Sequence, residues 1–402
     1  MIPVLYDKYE TDFLSNGLGQ LGDCLTCTVT EEVNGIYELE LTYPMTGAYY
    51  EQLINFGGVV ACTHDHNGDI QLFDIYRYDA PIDGIVTFYG SHVSYRLADC
   101  VRIGAEFFAI PGGGLTLPRN PTELFFCWNR AGQSLFPPLG TFTFTDYTDY
   151  PIDAGNGFSS SVPYVMRDAM FNTEEENSYV GGSVMQRWRG EWQFDKFSVN
   201  YYKKRGQDRG VQIRYGKNMT GVQRERDTGG IVSVIVPFGN WGWEHRYKPV
   251  YSPYVEKDRS PWESTTQVYC NGGYMYFRPA VIKAIPLNIT DQFQTDPTQA
   301  EVDAYCLAYM SKSSTWRADD NITVEFLDLY GTPEYEGIEG LSNCLCGDYV
   351  SILYPQLGIV SDGVEIMSLT YDVLAERVTQ MQLNTIRTTL AQVIIDTIGG
   401  AK

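Results

Sequence analysis

Side chains able to do chemistry are sparse here. The His residues are His64, His66, His92 and His245. A Ser or Cys hydrolase needs a His as base. His92 sits in Ser91-His92-Val93-Ser94-Tyr95, directly after a predicted strand, and His245 sits in an aromatic loop. Neither has a G-x-S-x-G nearby, although triads assemble in space rather than in sequence. His64-Asp65-His66 offers two metal ligands at the tip of an Asn67-Gly68 hairpin, with no H-E-x-x-H anywhere. A solvated turn is the favoured reading.

The other motifs are decoys of the same kind. Cys24-x-x-Cys27 is half of a zinc site, and Cys344-x-Cys346 has the wrong spacing for the other half. With Cys62, Cys100, Cys127, Cys270 and Cys306 the set is odd and scattered, so most cysteines are expected to be small buried hydrophobes. Gly17-Leu-Gly19-Gln-Leu-Gly22 matches G-x-G-x-x-G, but a dinucleotide loop must open a helix. Cys24–Thr30 behind it reads as a strand, so the glycines mark a turn. Gly210…Gly216-Lys217 has Asn218 where a phosphate loop holds Ser or Thr, and also reads as a strand and turn. Glu31-Glu32 and Glu174–Glu176 are uninformative among 50 acids, since a glycosidase is defined by a spatial gap between two of them. No catalytic, cofactor-binding or metal residue is assigned, and no cofactor is expected.

The elements that would position such residues are mostly β. The 402 residues suggest several domains, and 44% hydrophobic with 20% charged residues suits a folded chain. The net charge of −21 argues against wrapping a nucleic-acid backbone. Aromatics reach 14%, including 30 Tyr, which favours strands. The start, Met1-Ile-Pro-Val-Leu-Tyr, is not a secretion signal, and no run approaches the ~20 apolar residues of a membrane helix. A soluble chain folded in the cytosol is expected. The sequons at Asn218, Asn288 and Asn321 are then accidental.

Ile36–Tyr43 alternates, with Tyr37, Leu39, Leu41 and Tyr43 on one face, after the turn signal Asn34-Gly35. A second hairpin is expected between Val59–Thr63 and Ile70–Tyr78, then a strand at Ile85–Tyr89. Residues 103–210 are broken by Pro118, Pro121 and Pro137-Pro138 and read as short strands and loops, Leu124–Trp128 among them. A short helix is predicted at Val162–Phe171, and strand-like alternation at Trp188–Tyr202. Val211–Tyr215 and Ile231–Phe238 are β-branched. A helix is predicted over 297–311, with Asp296 as N-cap and Gln299 completing a capping box. Strands follow at Ile322–Leu327, Tyr349–Tyr354, Val364–Tyr371 and Arg377–Leu383, and a helically spaced tail from Ile386.

Several stretches resemble one family. They are Tyr6–Phe13 with Asn16–Gly19, and above all Thr30-Glu-Glu-Val-Asn-Gly-Ile-Tyr-Glu-Leu-Glu-Leu-Thr-Tyr-Pro44. Ser91–Asp99, Ile213–Asn218, Pro297–Tyr309, Val324–Leu329, Leu345–Val350, Tyr354–Ile359 and Tyr371–Arg377 follow in that family's order. The chain is similar to the phage tail-tip proteins of the prophage endopeptidase tail family, also called tail-associated lysins or baseplate hub proteins. The resemblance implies a mainly β fold with some α, hub-like and multi-domain, with two related β-barrels. It places the first barrel at 1–102, completed by 211–240, an inserted domain at 103–210, a third domain at 241–310, and the second barrel at 311–402 with a C-terminal helix. It implies a homotrimer whose six barrels match the six-fold tail tube and distal-tail ring.

The function so implied is structural. The protein would close the tube, join the distal-tail ring, and leave a channel for DNA or the tape-measure protein, at the tail tip of a virion assembled in the host cytoplasm. Lysin or receptor-binding components would be partners. In lysin-bearing relatives cleavage belongs to domains beyond this region, and Lys402 falls where such an extension would start. No family catalytic residue carries over, so an enzyme is not expected. The alternative is a cell-wall endopeptidase or other peptidoglycan hydrolase using His92 or His245. A third reading, a carbohydrate- or receptor-binding module, rests on Trp241, Trp243 and Trp262, for which packing is the commoner role.

Overall fold

The computed structural model describes residues 1–383 apart from 56–57, 81–82, 105, 110–113, 131–133, 137–138, 153–156, 161, 173–181, 228–233, 240–246, 249, 252–283, 294, 314–318, 327–343 and 355–358. The chain divides into two compact units, Met1–Val222 with Thr323–Lys402, and Gln223–Ile322. No described helix is long and apolar enough to cross a membrane.

The first unit is built on a thirteen-stranded sheet. Its N-terminal part comprises β1 (Val4–Asp7), β2 (Gly19–Gln20), β3 (Thr26–Glu32), β4 (Tyr37–Pro44), β5 (Gly58–Thr63), β6 (Ile70–Asp79) and β7 (Ile85–His92). They lie side by side in the order β3-β4-β7-β6-β5-β1-β2, every pairing antiparallel. The β3–β4 turn forms as its sequence requires, with Asn34 in the left-handed region at φ 57°. The alternation in β4 buries Tyr37, Leu39, Leu41 and Tyr43, as expected. Each such side chain contributes about 1.5–3 kcal/mol on burial.

The strand Ile359–Asp372 joins this sheet through β3, with Thr370 opposite Thr30 and Tyr371 opposite Val29. It also pairs with Tyr349–Tyr354 and Arg377–Leu383. Tyr349–Tyr354 in turn pairs in parallel with Asp208–Arg214. The two β-rich ends are therefore neighbours in one sheet. The expected mainly β fold with some α is observed, and the sheet curls as a half-barrel.

The middle of the first unit departs from the expected short strands and loops. Residues Pro121–Trp128 form a helix, not a strand. Pro121 does not break structure there. It occupies the first turn, where its missing N–H costs nothing, behind an Asn120 cap that accepts from the Glu123 N–H at 2.9 Å. Trp188 likewise ends a helix, Val184–Trp188, and the hairpin begins only at Glu191, with Glu191–Asp195 against Ser198–Tyr202. The helix predicted at Val162–Phe171 is confined to Met166–Phe171, after a short strand Tyr164–Val165. Phe125, Trp128, Trp192 and Tyr201 pack these pieces into one core.

The second unit has a core of Ile235, Val250, Ile289, Val302 and Cys306. Its strand Val234–Phe238 pairs in parallel with Ala284–Asn288. The helix runs Gln299–Ser313, and its cap lies two residues later than predicted. Thr298 and Glu301 bond reciprocally, the Thr298 N–H donating to Glu301 Oε2 at 2.7 Å. Asp296 accepts from the Tyr247 hydroxyl instead. The tail from Ile386 lies outside the described residues.

Candidate functional site

His92 ends β7 and is fully buried. Its Nδ1 accepts the Ser94 N–H at 3.2 Å and lies 3.0 Å from Ser94 Oγ. The proton therefore sits on Nε2, which donates to Gln71 Oε1 at 3.1 Å. Gln71 Oε1 also accepts the Lys196 N–H, and Gln71 Nε2 donates to Asp195. The Tyr37 ring stacks on the imidazole at 4.4 Å. Burial first, then His64, Arg167 and Arg96, hold His92 well below its usual titration range. It is a neutral pin between β6, β7 and the 191–202 hairpin. A base needs access to its substrate, and both His92 and Ser94 are sealed. The hydrolase candidate thus becomes a packing group, and His245 lies outside the described residues, as do Trp241, Trp243 and Trp262.

A denser polar cluster surrounds residues 204–209. Arg205 Nη1 donates to Glu31 Oε1 at 2.8 Å and to the Trp192 carbonyl at 3.0 Å. Its backbone N–H donates to Glu191. Lys204 bridges Glu191 and Glu365. Asp348 accepts from Gln207 N–H, Leu345 N–H and Arg209 Nε, the last at 2.6 Å. Gly206 meets Gly347 so closely that a Cβ would stand 1.7 Å from the Gly347 carbonyl oxygen. Asn34, the β3–β4 turn residue, accepts the Trp192 N–H at 2.9 Å. Segments from the start, middle and end of the chain are joined here.

The charges behave as burial and pairing dictate. Burial disfavours the Arg205 cation, but the Glu31 carboxylate and the neighbouring Cys346 sulfur together outweigh it and the pKa rises. Burial raises the Glu191 carboxyl, against the opposing pull of Lys204. No chemical motif in the sequence marks Arg205, Glu191 or Asp348, and Glu31 and Asp348 stand out only as members of the family-like segments Thr30–Pro44 and Leu345–Val350.

Beside Arg205 lies a polar cleft of about 160 Å³. The hairpin side chains Gln193, Asp195 and Asn200 line one wall, and the His64–Gln71 turn another. That turn is less solvated than predicted. Asp65 is buried and accepts from the Asn67 and Asp69 N–H groups. His64 Nδ1 lies 3.3 Å from the Asp69 carbonyl oxygen, whereas the His66 ring packs edge-on to Tyr371. Among the described residues no group of His, Cys, Asp or Glu is arranged for a metal ion. The cysteine pairs go separate ways: Cys346 Sγ donates to the Glu31 carbonyl, while Cys24 Sγ donates to the Thr26 carbonyl. All described cysteines are free thiols. Gly17 leads into the short edge strand β2, which Gly19 opens, and Gly216 lies in a tight turn in which Asn218 accepts the Arg214 N–H.

Residues 207–394 match the family described as prophage endopeptidase tail. No curated protein matches the sequence. The solved 43 kDa tail protein of prophage MuSo2 from Shewanella oneidensis is 11% identical with a TM-score of 0.52, over 96% of this chain and 98% of that one. Prophage tail protein gp18 from Listeria monocytogenes EGD-e is 12% identical with a TM-score of 0.49, over 99% of each chain. The tail protein from Neisseria meningitidis MC58 is 9% identical with a TM-score of 0.49, over 96% of each. The Shewanella likeness is one of fold, and it takes in the N-terminal strands that the family match leaves out. Residues 207–394 are thus similar to the prophage endopeptidase tail family, the family that segments along the chain resemble.

Proposed function

We propose that this chain is a structural hub of a phage tail tip, or of a phage-tail-like particle. The observation that carries this reading is the tail-family match over residues 207–394, set within a fold like that of the MuSo2 tail protein. Three copies close the tail tube and join it to the distal-tail ring. The four-part division 1–102 with 211–240, 103–210, 241–310 and 311–402 supplies two barrels per chain, and three chains match a six-fold partner. The channel passes DNA or the tape-measure protein, and the −21 charge of each chain keeps DNA from sticking to its wall. The chain acts without catalysis. Its buried polar groups hold distant segments of the chain together.

Light scattering tests this reading. Three chains of 45.4 kDa in one particle are expected. A monomer that stays single when mixed with its ring partner would overturn it. Zymography on peptidoglycan tests the hydrolase alternative: a clear zone abolished by H245A would favour that alternative over the structural role.

A further inference from the structure

We propose that the cleft beside Arg205 binds a single saccharide ring, a neutral ligand rich in hydroxyls. Three observations point there. The first is the arginine itself. Its side chain is only 3% exposed, and while Nη1 is held, Nε and Nη2 have no hydrogen-bond partner. A buried donor left unpaired costs about 1–3 kcal/mol, so this floor calls for an acceptor. The second is the hairpin wall. Gln193 and Asn200 are direct cross-strand partners, so their amides share one face, and neither has a side-chain partner among the described residues. Each amide can donate and accept.

The third observation is the mixture of charge. Glu31, Asp65, Asp69 and Asp195 also line the cleft. Their carboxylates repel an anion. Glu31 is already paired with the Arg205 guanidinium, and no described cluster has the arrangement a metal ion needs. A sugar hydroxyl satisfies both kinds of group at once, donating to a carboxylate while accepting from an amide or guanidinium. The size agrees: 160 Å³ is close to the roughly 150 Å³ of a cavity that takes one six-membered ring. This inference does not depend on the tail reading, and a tail component without sugar affinity would leave that reading intact.

Saturation-transfer NMR on the full chain tests it. The probes are the methyl glycosides of glucose, galactose, mannose, N-acetylglucosamine and rhamnose, with acetate and guanidinium ions as charged controls. Transfer to at least one glycoside, and to neither ion, is expected. Asn200→Leu should weaken that association about tenfold, the equivalent of one or two hydrogen bonds. Gln193→Leu reads the same wall should the first variant fail to fold. Silence from every glycoside, saturation by an ion alone, or unchanged glycoside binding in the folded variants would each overturn the proposal.

Discussion

Two buried arginines in the first unit make a controlled contrast. Arg102 is closed on all sides: Nε donates to Glu106 at 2.7 Å, and Nη1 and Nη2 donate to the Trp128 and Cys127 carbonyls at a helix C-terminus. Glu106 accepts in addition from the Tyr164 hydroxyl, which itself accepts from Trp128 Nε1. Arg205 has the same carboxylate chemistry, yet two of its nitrogens are left unpaired. A guanidinium saturated by its own chain is scaffold. One left part-open beside a cleft is where something else can bind.

Arg102→Met should break the contrast hardest. It strands Glu106, which is 0% exposed, and a loss of about 3–5 kcal/mol in urea unfolding is expected. Gly206→Ala comes next. Its Cβ meets the Gly347 carbonyl, and a loss of about 1–3 kcal/mol is expected. Arg205→Met should cost less, about 1–2 kcal/mol, because Glu31 can be rehydrated through the cleft and the two unpaired donors disappear with the side chain. A loss equal to that of Arg102→Met would erase the distinction between closed and open.

The smallest effect is a pH dependence. The folded-state pKa of His92 is depressed, whereas the unfolded chain titrates near 6.5. Below that pH the unfolded state binds the proton first. Stability is therefore full above about pH 6.5 and falls on acidification, by at most about 1.4 kcal/mol per pH unit. His92→Gln should flatten this part of the profile in thermal melts taken between neutral and mildly acidic pH. An unchanged slope would show that other groups set it.

What the sequence made legible was local. The β3–β4 hairpin follows from Asn34-Gly35 and the alternation of Tyr37, Leu39, Leu41 and Tyr43. The pairing of Thr30 with Thr370 does not, because alternation tells a strand which way to face and not which strand to join. Pro121 misled because the same residue that breaks a helix interior also favours a helix start. The cleft was illegible for a different reason. Gln193, Asn200 and Arg205 stand on or after ordinary strands, with no spacing that marks them, and only the fold brings them to the His64–Gln71 turn. Family resemblance reached further than periodicity, since its signal is an ordered series of segments rather than one contact.

The central claim is that this chain builds a ring at the end of a tail. Electron micrographs of the purified protein, averaged by class, address it most directly. The account expects three-fold particles with a central opening. Compact single-chain particles without one, in the presence of the distal-tail ring, would contradict it.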